Sequence, residues 1–251
     1  MEPNDSARAA EPLELPIYVR LRQKSLILAS SSPRRLRLLN GIGLYPRVFP
    51  SNFKEDLKHS DFDQIDDDPA SKSMHYTVAT ATEKAIDVYR QAVESSPDQP
   101  PDLVIAADTV IQSTSADDEV PRIIEKPVSR QSQLLTLSEL VDLSSSKDSR
   151  IEVVTGVSVV YPIVSSPGYR VKSFAESTKI WFGDLDRETL IAYVEGGEGI
   201  DRAGGFTIDG IGSQLIRRID GDHNNVLGFP IYGFVEFLKK VMREDEDFLS
   251  D

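Results

Sequence analysis

Residues 26–43, LILASSSPRRLRLLNGIG, set the terms on which the rest of the chain is read. Leu26 to Ala29 is an apolar run of strand type, Ser30 to Ser32 make a turn, and Pro33 opens a helix that closes near Gly41 or Gly43. Ser32 suits the N-cap, and proline suits the first helical position, whose N–H has no intrahelical partner. Arg34 and Arg35 follow at once, at the helix end that already carries partial positive charge, where acidic side chains are the favourable choice. Free N–H groups, two guanidinium forks and the hydroxyls of Ser30, Ser31 and Ser32 would together make a phosphate site. A solvated basic helix face, extended by Arg37, is the competing reading. The stretch is not a Walker loop, because the glycine spacing and the lysine are missing.

Working outward, strands and helices alternate along the whole chain. Upstream, residues 1–23 are polar and read as a flexible extension. Downstream, LYPRVFPS is a short strand, and NFKEDLKHSDFDQIDDDPASKS is a polar loop. Residues 74–94 show helical spacing of apolar positions, and SSPDQPP stops that helix. DLVIAADTVI is a strand, and a hairpin then returns a second one through IIEKP. A helix over 129–142 precedes two long strand patterns, IEVVTGVSVVYPIV and YRVKSFAESTKIWF, joined by SSPG. DRETLIAYVEGG is a helix capped by Asp184 or Asp186, SQLIRRIDG a strand, FPIYGFVEFLKKVM a closing helix, and residues 244–251 an acidic, frayed tail. This pattern predicts an α/β or α+β domain around a mixed sheet.

Composition narrows the function. Lys plus Arg number 28 against 41 Asp plus Glu, a net charge of −13, which argues against coating nucleic acid or an anionic membrane. A local cationic pocket for a small phosphorylated ligand remains compatible with it. No cysteine is present, so disulfides, zinc–thiolate sites and thiol nucleophiles are excluded. With no apolar signal core and no membrane-length run, the expectation is a soluble, cytoplasmic protein.

Asp108 ends a wholly apolar run, where a carboxylate is costly to desolvate without a partner. It is either a strand-end cap or a rigidly held metal ligand or general base. Glu55 and Lys126 in loops, and Lys84 on a helix, say little separately, since solvation or helix pairing accounts for each. His59, His75 and His223 lack metal-ligand spacing, and Asp66, Asp67 and Asp68 lack the glycine and terminal glutamate of a calcium loop. Residues 199–230 are rich in glycine, which allows tight turns and close approach of main chain to a ligand.

Taken together, LILASSSPRR, ATEKA, VIAADTVI, EKP, VVTGVSVV, DRAGGF and RIDGDHNNVLGFP resemble the Maf family of nucleoside triphosphate pyrophosphatases, in family order over about residues 25–240. The resemblance implies an α/β fold of Maf/ITPase type: an elongated mixed sheet flanked by helices, with a central nucleotide-binding cleft. A single catalytic domain over 24–243 would carry it. It further implies a homodimer and Mg²⁺-dependent (or Mn²⁺-dependent) cleavage of dTTP or UTP to the monophosphate and pyrophosphate, rather than action on 7-methyl-GTP. Asp108, Glu55 and Lys126 would be catalytic, with Glu55 and Asp108 on the metal. Ser30, Arg34, Arg35, Lys84, Arg202 and Asp209 would bind substrate. Two positions depart from the pattern: FTIDG places Asp209 where a glutamine is usual, and Arg202 replaces a lysine. A carboxylate only accepts hydrogen bonds, whereas an amide also donates, so a nucleotide-binding regulator with reduced turnover is the alternative.

Overall fold

The computed structural model describes residues 13–63, 65, 68, 71–115, 121–164 and 166–250. Asp66, Asp67 and residues 1–12 of the expected N-terminal extension lie outside them. Seven strands form one sheet in the order β2–β1–β3–β5–β6–β7, with β4 paired to the far part of β3. The strands are β1 (Leu26–Leu28), β2 (Arg47–Val48), β3 (Leu103–Thr114), β4 (Arg122–Ile124), β5 (Arg150–Pro162), β6 (Tyr169–Phe182) and β7 (Ile216–Asp220). β1 runs parallel to β2 and β3, and the other pairings are antiparallel. The helices are α1 (Pro16–Leu21), α2 (Pro33–Gly41), α3 (Lys72–Ser95), α4 (Arg130–Ser145), α5 (Arg187–Glu195), α6 (His223–Val226) and α7 (Ile231–Glu244). Asp186, the second of the two candidates, caps α5 by accepting from the Thr189 N–H at 2.8 Å.

β3 organises the molecule because both of its faces are buried and its side chains alternate between them. Leu103, Ile105 and Ala107 join a core with α1, α2, α7 and the C-terminal residues. Val104 and Ala106 face α3 instead, against Ala85 and Val88. Fully burying side chains of this size contributes about 1.5–3 kcal/mol each, so a one-residue slip of β3 would be prohibitive. That register puts Asp108 on the α3 face and Thr109 on the α2 face. Helix α3 can lie close because β5 carries Gly156 opposite Asp108: a Cβ there would come within 2.3 Å of the Thr77 backbone.

β1 stops at Leu28, its last partner on β3 being Ile105, so the β3 edge stands open from there until β4 pairs at Ile111. A crevice beyond the carboxyl ends of parallel strands is the usual place for a ligand in such sheets.

Both ends of the chain differ from expectation. Pro16–Leu21, expected in a flexible extension, is a helical turn whose Ile17, Tyr18 and Leu21 are buried. The tail expected to fray is packed: Phe248 and Leu249 are buried in the same core, and the Phe248 ring stands edge-on to Tyr161 at 5.0 Å. The Tyr161 hydroxyl donates to Asp245 Oδ2 at 2.6 Å, and Arg170 spans Asp245 and Asp247 at 3.1 and 2.9 Å. Lys24 Nζ donates to the Ser250 carbonyl at 2.8 Å, which clasps the two ends together. A few apolar side chains, each with a waiting core position, outweigh the acidic composition around them.

Candidate active site

The cleft beyond β1 has a volume of ≈ 310 Å³, near the lower end of the roughly 300–1,000 Å³ typical of small-molecule sites. Its wall gathers Ser30, Arg34, Arg35, Glu55, Lys84, Asp108, Lys126 and Arg202, eight of the nine expected side chains. Asp209 stands outside that lining and touches Arg34.

Lys84 sits at the centre. It projects from α3, is buried, and its Nζ lies 2.7 Å from Asp108 Oδ1 and 2.9 Å from Glu55 Oε1. The two carboxylates therefore converge on one positive charge. Burial opposes the charge on Glu55, but Lys84, backed by Lys126 and Arg35, outweighs it and holds the carboxyl below its usual range. Asp108 is buried and Glu55 largely exposed, so one carboxylate is fixed by the sheet and the other sits on a more open segment.

The paired arginines have separate tasks. Arg35 directs Nε at the Gly228 carbonyl (2.9 Å), Nη1 at the Ala107 carbonyl (2.7 Å) and Ser30 Oγ (3.3 Å), and Nη2 at Thr109 Oγ1 (3.0 Å). The Ala107 carbonyl lies on the β3 edge beyond the end of β1, and Arg35 satisfies it in place of a strand. Gly228 supplies the other carbonyl from a backbone at φ +104°, which suits glycine alone. The expectation that both guanidinium forks would grip one anion is corrected accordingly. Four of the five Arg35 N–H directions are committed within the chain, and what it offers the cleft is chiefly charge.

Arg34 turns the other way. Its Nη1 lies 3.3 Å from Asp209 Oδ1, while its Nε is buried with no acceptor. Burial and the nearby Arg202 press against its charge, and Asp209 relieves it. Arg202 is arranged alike, with Nη1 3.3 Å from Asp201 Oδ2 and a buried Nε without an acceptor. Buried N–H groups with no partner are expensive, and these two belong to cleft-lining cations. Ser32 stands at the N-cap of α2 as expected, yet its side chain makes no capping bond; its N–H donates to Ser30 Oγ at 3.2 Å.

The sequence reading passed over two residues that shape the site. Thr109 joins Arg35 to the Thr155 hydroxyl at 3.0 Å, and only its neighbour Asp108 pointed to it. Glu125 accepts from the Tyr76 hydroxyl at 2.5 Å and entered the sequence reading only as part of the EKP run.

An α/β cleft lined by the buried Lys84, three partly buried arginines and Lys126, with two carboxylates converging on that lysine, has the make-up of a site for a multiply charged anion. The chain belongs to the Maf-like protein family, whose model matches residues 25–241. It is 35% identical over 239 residues to the dTTP/UTP pyrophosphatase of Schizosaccharomyces pombe, covering 93% of this chain and 90% of that one. It is 36% identical over 230 residues to a probable bifunctional dTTP/UTP pyrophosphatase/methyltransferase protein of Homo sapiens, covering 90% of this chain. The match spans only 33% of that longer relative's length. The dTTP/UTP pyrophosphatase of Saccharomyces cerevisiae is 31% identical over 214 residues, covering 82% of this chain and 85% of that one.

Proposed function

We propose that this protein hydrolyses dTTP, UTP or a related nucleoside triphosphate to the monophosphate and pyrophosphate. The observation that carries the reading is Lys84 held between Asp108 and Glu55 in a cleft whose other lining cations are Arg34, Arg35, Arg202 and Lys126. The three relatives named above all carry dTTP/UTP pyrophosphatase in their names.

The oxygen donors of Glu55 and Asp108 fit a hard divalent cation such as Mg²⁺ or Mn²⁺. Among the described residues no group of three or more His, Asp or Glu gathers to hold one alone. Such an ion ordinarily takes one or two carboxylates and completes its shell with water and phosphate oxygens. When bound, it would neutralise phosphate charge and ease deprotonation of water. Arg34 and Arg202, each meeting a single carboxylate, offer guanidinium charge to the phosphate chain, and Arg35, Lys84 and Lys126 add positive charge around it. Asp108, fixed by β3 and Lys84, takes the proton of the water that attacks the α-phosphorus. The α–β anhydride bond breaks, and pyrophosphate leaves against the cationic wall. A homodimer in the cytoplasm belongs to the same proposal, and size-exclusion chromatography with light scattering tests the dimer.

The deciding experiment supplies purified protein and Mg²⁺ with dTTP, UTP, CTP, GTP and ATP, following monophosphate and pyrophosphate. Both products from dTTP or UTP are expected; orthophosphate instead, or no product from any triphosphate, overturns the reading. The Asp209–Arg34 pair favours one alternative, a nucleotide-binding regulator, because it puts a negative charge beside the anion site. Binding of a triphosphate without turnover would select it.

A further inference from the structure

Glu125 lies outside the lining of the cleft yet contacts, or directly precedes, each of four segments that line it. It immediately precedes Lys126. Its Oε1 accepts from the Tyr76 hydroxyl at 2.5 Å, and Tyr76 belongs to α3, the helix that carries Lys84. The same oxygen lies 3.5 Å from His59 Nε2, four residues beyond Glu55, and the His59 ring meets Tyr76 edge-on at 4.6 Å. The Glu125 carbonyl accepts from the Gly204 N–H at 3.0 Å, two residues beyond Arg202. Gly204 sits at φ +70°, and a Cβ there would come within 2.7 Å of Ile111, so the loop has little freedom to dock elsewhere.

Tyr76 makes this arrangement firm. Its ring is 2% exposed, packed with Val110 and Val154, and its buried hydroxyl needs an acceptor. A phenol donating to a carboxylate is a short, charge-assisted bond. Burial, with Glu125 and Asp108 nearby, pushes the phenol well above its ordinary value, so it stays the donor.

We propose that Glu125 is a positioning residue for the cleft: through its side chain on Tyr76 and His59 it fixes Lys126 and the Glu55 segment relative to Lys84, while the main-chain carbonyl at the same position holds the Arg202 loop and is untouched by side-chain substitution. The proposal rests on the triphosphate reading for its assay. Glu125→Ala lowers kcat/KM for the best triphosphate by about ten- to a hundredfold, the loss expected when supporting contacts to a site are removed. Glu125→Gln, which still accepts from Tyr76, recovers most of the activity. Tyr76→Phe reproduces part of the loss, and the Glu125→Ala/Tyr76→Phe double variant is no worse than Glu125→Ala, since the bond can be lost once.

Unfolding midpoints of the four variants and the wild-type protein are measured alongside to separate positioning from instability. Wild-type kcat/KM in a folded Glu125→Ala protein, or losses that multiply in the double variant, overturn the proposal. Should the wild-type protein turn over no triphosphate, the pyrophosphatase reading fails by itself. Titration of dTTP into wild-type and Glu125→Ala protein then decides the matter, a tenfold weaker affinity supporting positioning and equal affinities overturning it.

Discussion

The cleft holds its cations in two ways. On the sheet side, Lys84 is shared by Asp108 and Glu55, and Arg35 spends four donors on Ser30, Ala107, Thr109 and Gly228. Elsewhere along the wall, Arg34 and Arg202 each meet one carboxylate and keep a buried Nε without an acceptor. A paired cation inside a protein supports the fold, and removing its partner is costly; an under-partnered cation gains most from an incoming anion. On the proposed reading, the cations held against the sheet set the position of reacting groups, while Arg34 and Arg202 set affinity.

The largest effect tests the sheet side. Asp108→Asn is expected to lower kcat by about 10²- to 10⁴-fold, the range for loss of a positioned base, with KM little changed. Steady-state pyrophosphate release at saturating Mg²⁺ measures it, and wild-type turnover would end the assignment. Arg35→Lys comes next. An ammonium cannot reach the acceptors that Arg35 holds, so stability should fall by about 2–4 kcal/mol, read as a lower urea midpoint.

How much of this was legible beforehand depends on how local each signal is. The strand–turn–helix around Ser30 and the buried run ending in Asp108 announce themselves through periodicity, capping and burial, which act over a few residues. Arg34 and Arg35 look alike in sequence, yet about 100° of helical rotation aims one at the open β3 edge and the other at Asp209. No local rule reveals that β1 stops short and leaves Ala107 a carbonyl for Arg35 to take. Glu125 is of the same kind, since its meaning comes from Tyr76, 49 residues away. The buried Phe248 and Leu249 were hidden by their acidic neighbours.

Smaller effects sharpen the contrast. Arg202→Ala should raise KM for a triphosphate by about tenfold, worth about 1.4 kcal/mol, and leave the unfolding midpoint nearly unchanged. A loss of stability matching that of Arg35→Lys would erase the distinction. Asp209→Asn removes a negative charge beside Arg34 and should lower KM several-fold, by an amount that shrinks as salt rises; an increase in KM would mean that Asp209 serves the substrate directly.

The smallest effect lies away from the cleft and serves as its control. Burial opposes the charge on Asp245, but Tyr161, the Asp247 N–H and Arg170 outweigh it and hold the carboxyl below its usual value. A depressed folded-state value means the contribution is complete above about pH 4 and is lost as pH falls through the folded value. Asp245→Asn should thus flatten the acid side of the stability curve with kcat unaltered at neutral pH.

The clasp between Lys24 and Ser250 has an architectural consequence. It sits by the amino ends of β1 and β3, whereas the cleft opens past Ser30 and Asp108; five residues of strand, about 17 Å, separate Leu103 from Asp108. By tying Ser250 to the segment that leads into β1, the clasp keeps the last described residues at the pole away from the mouth.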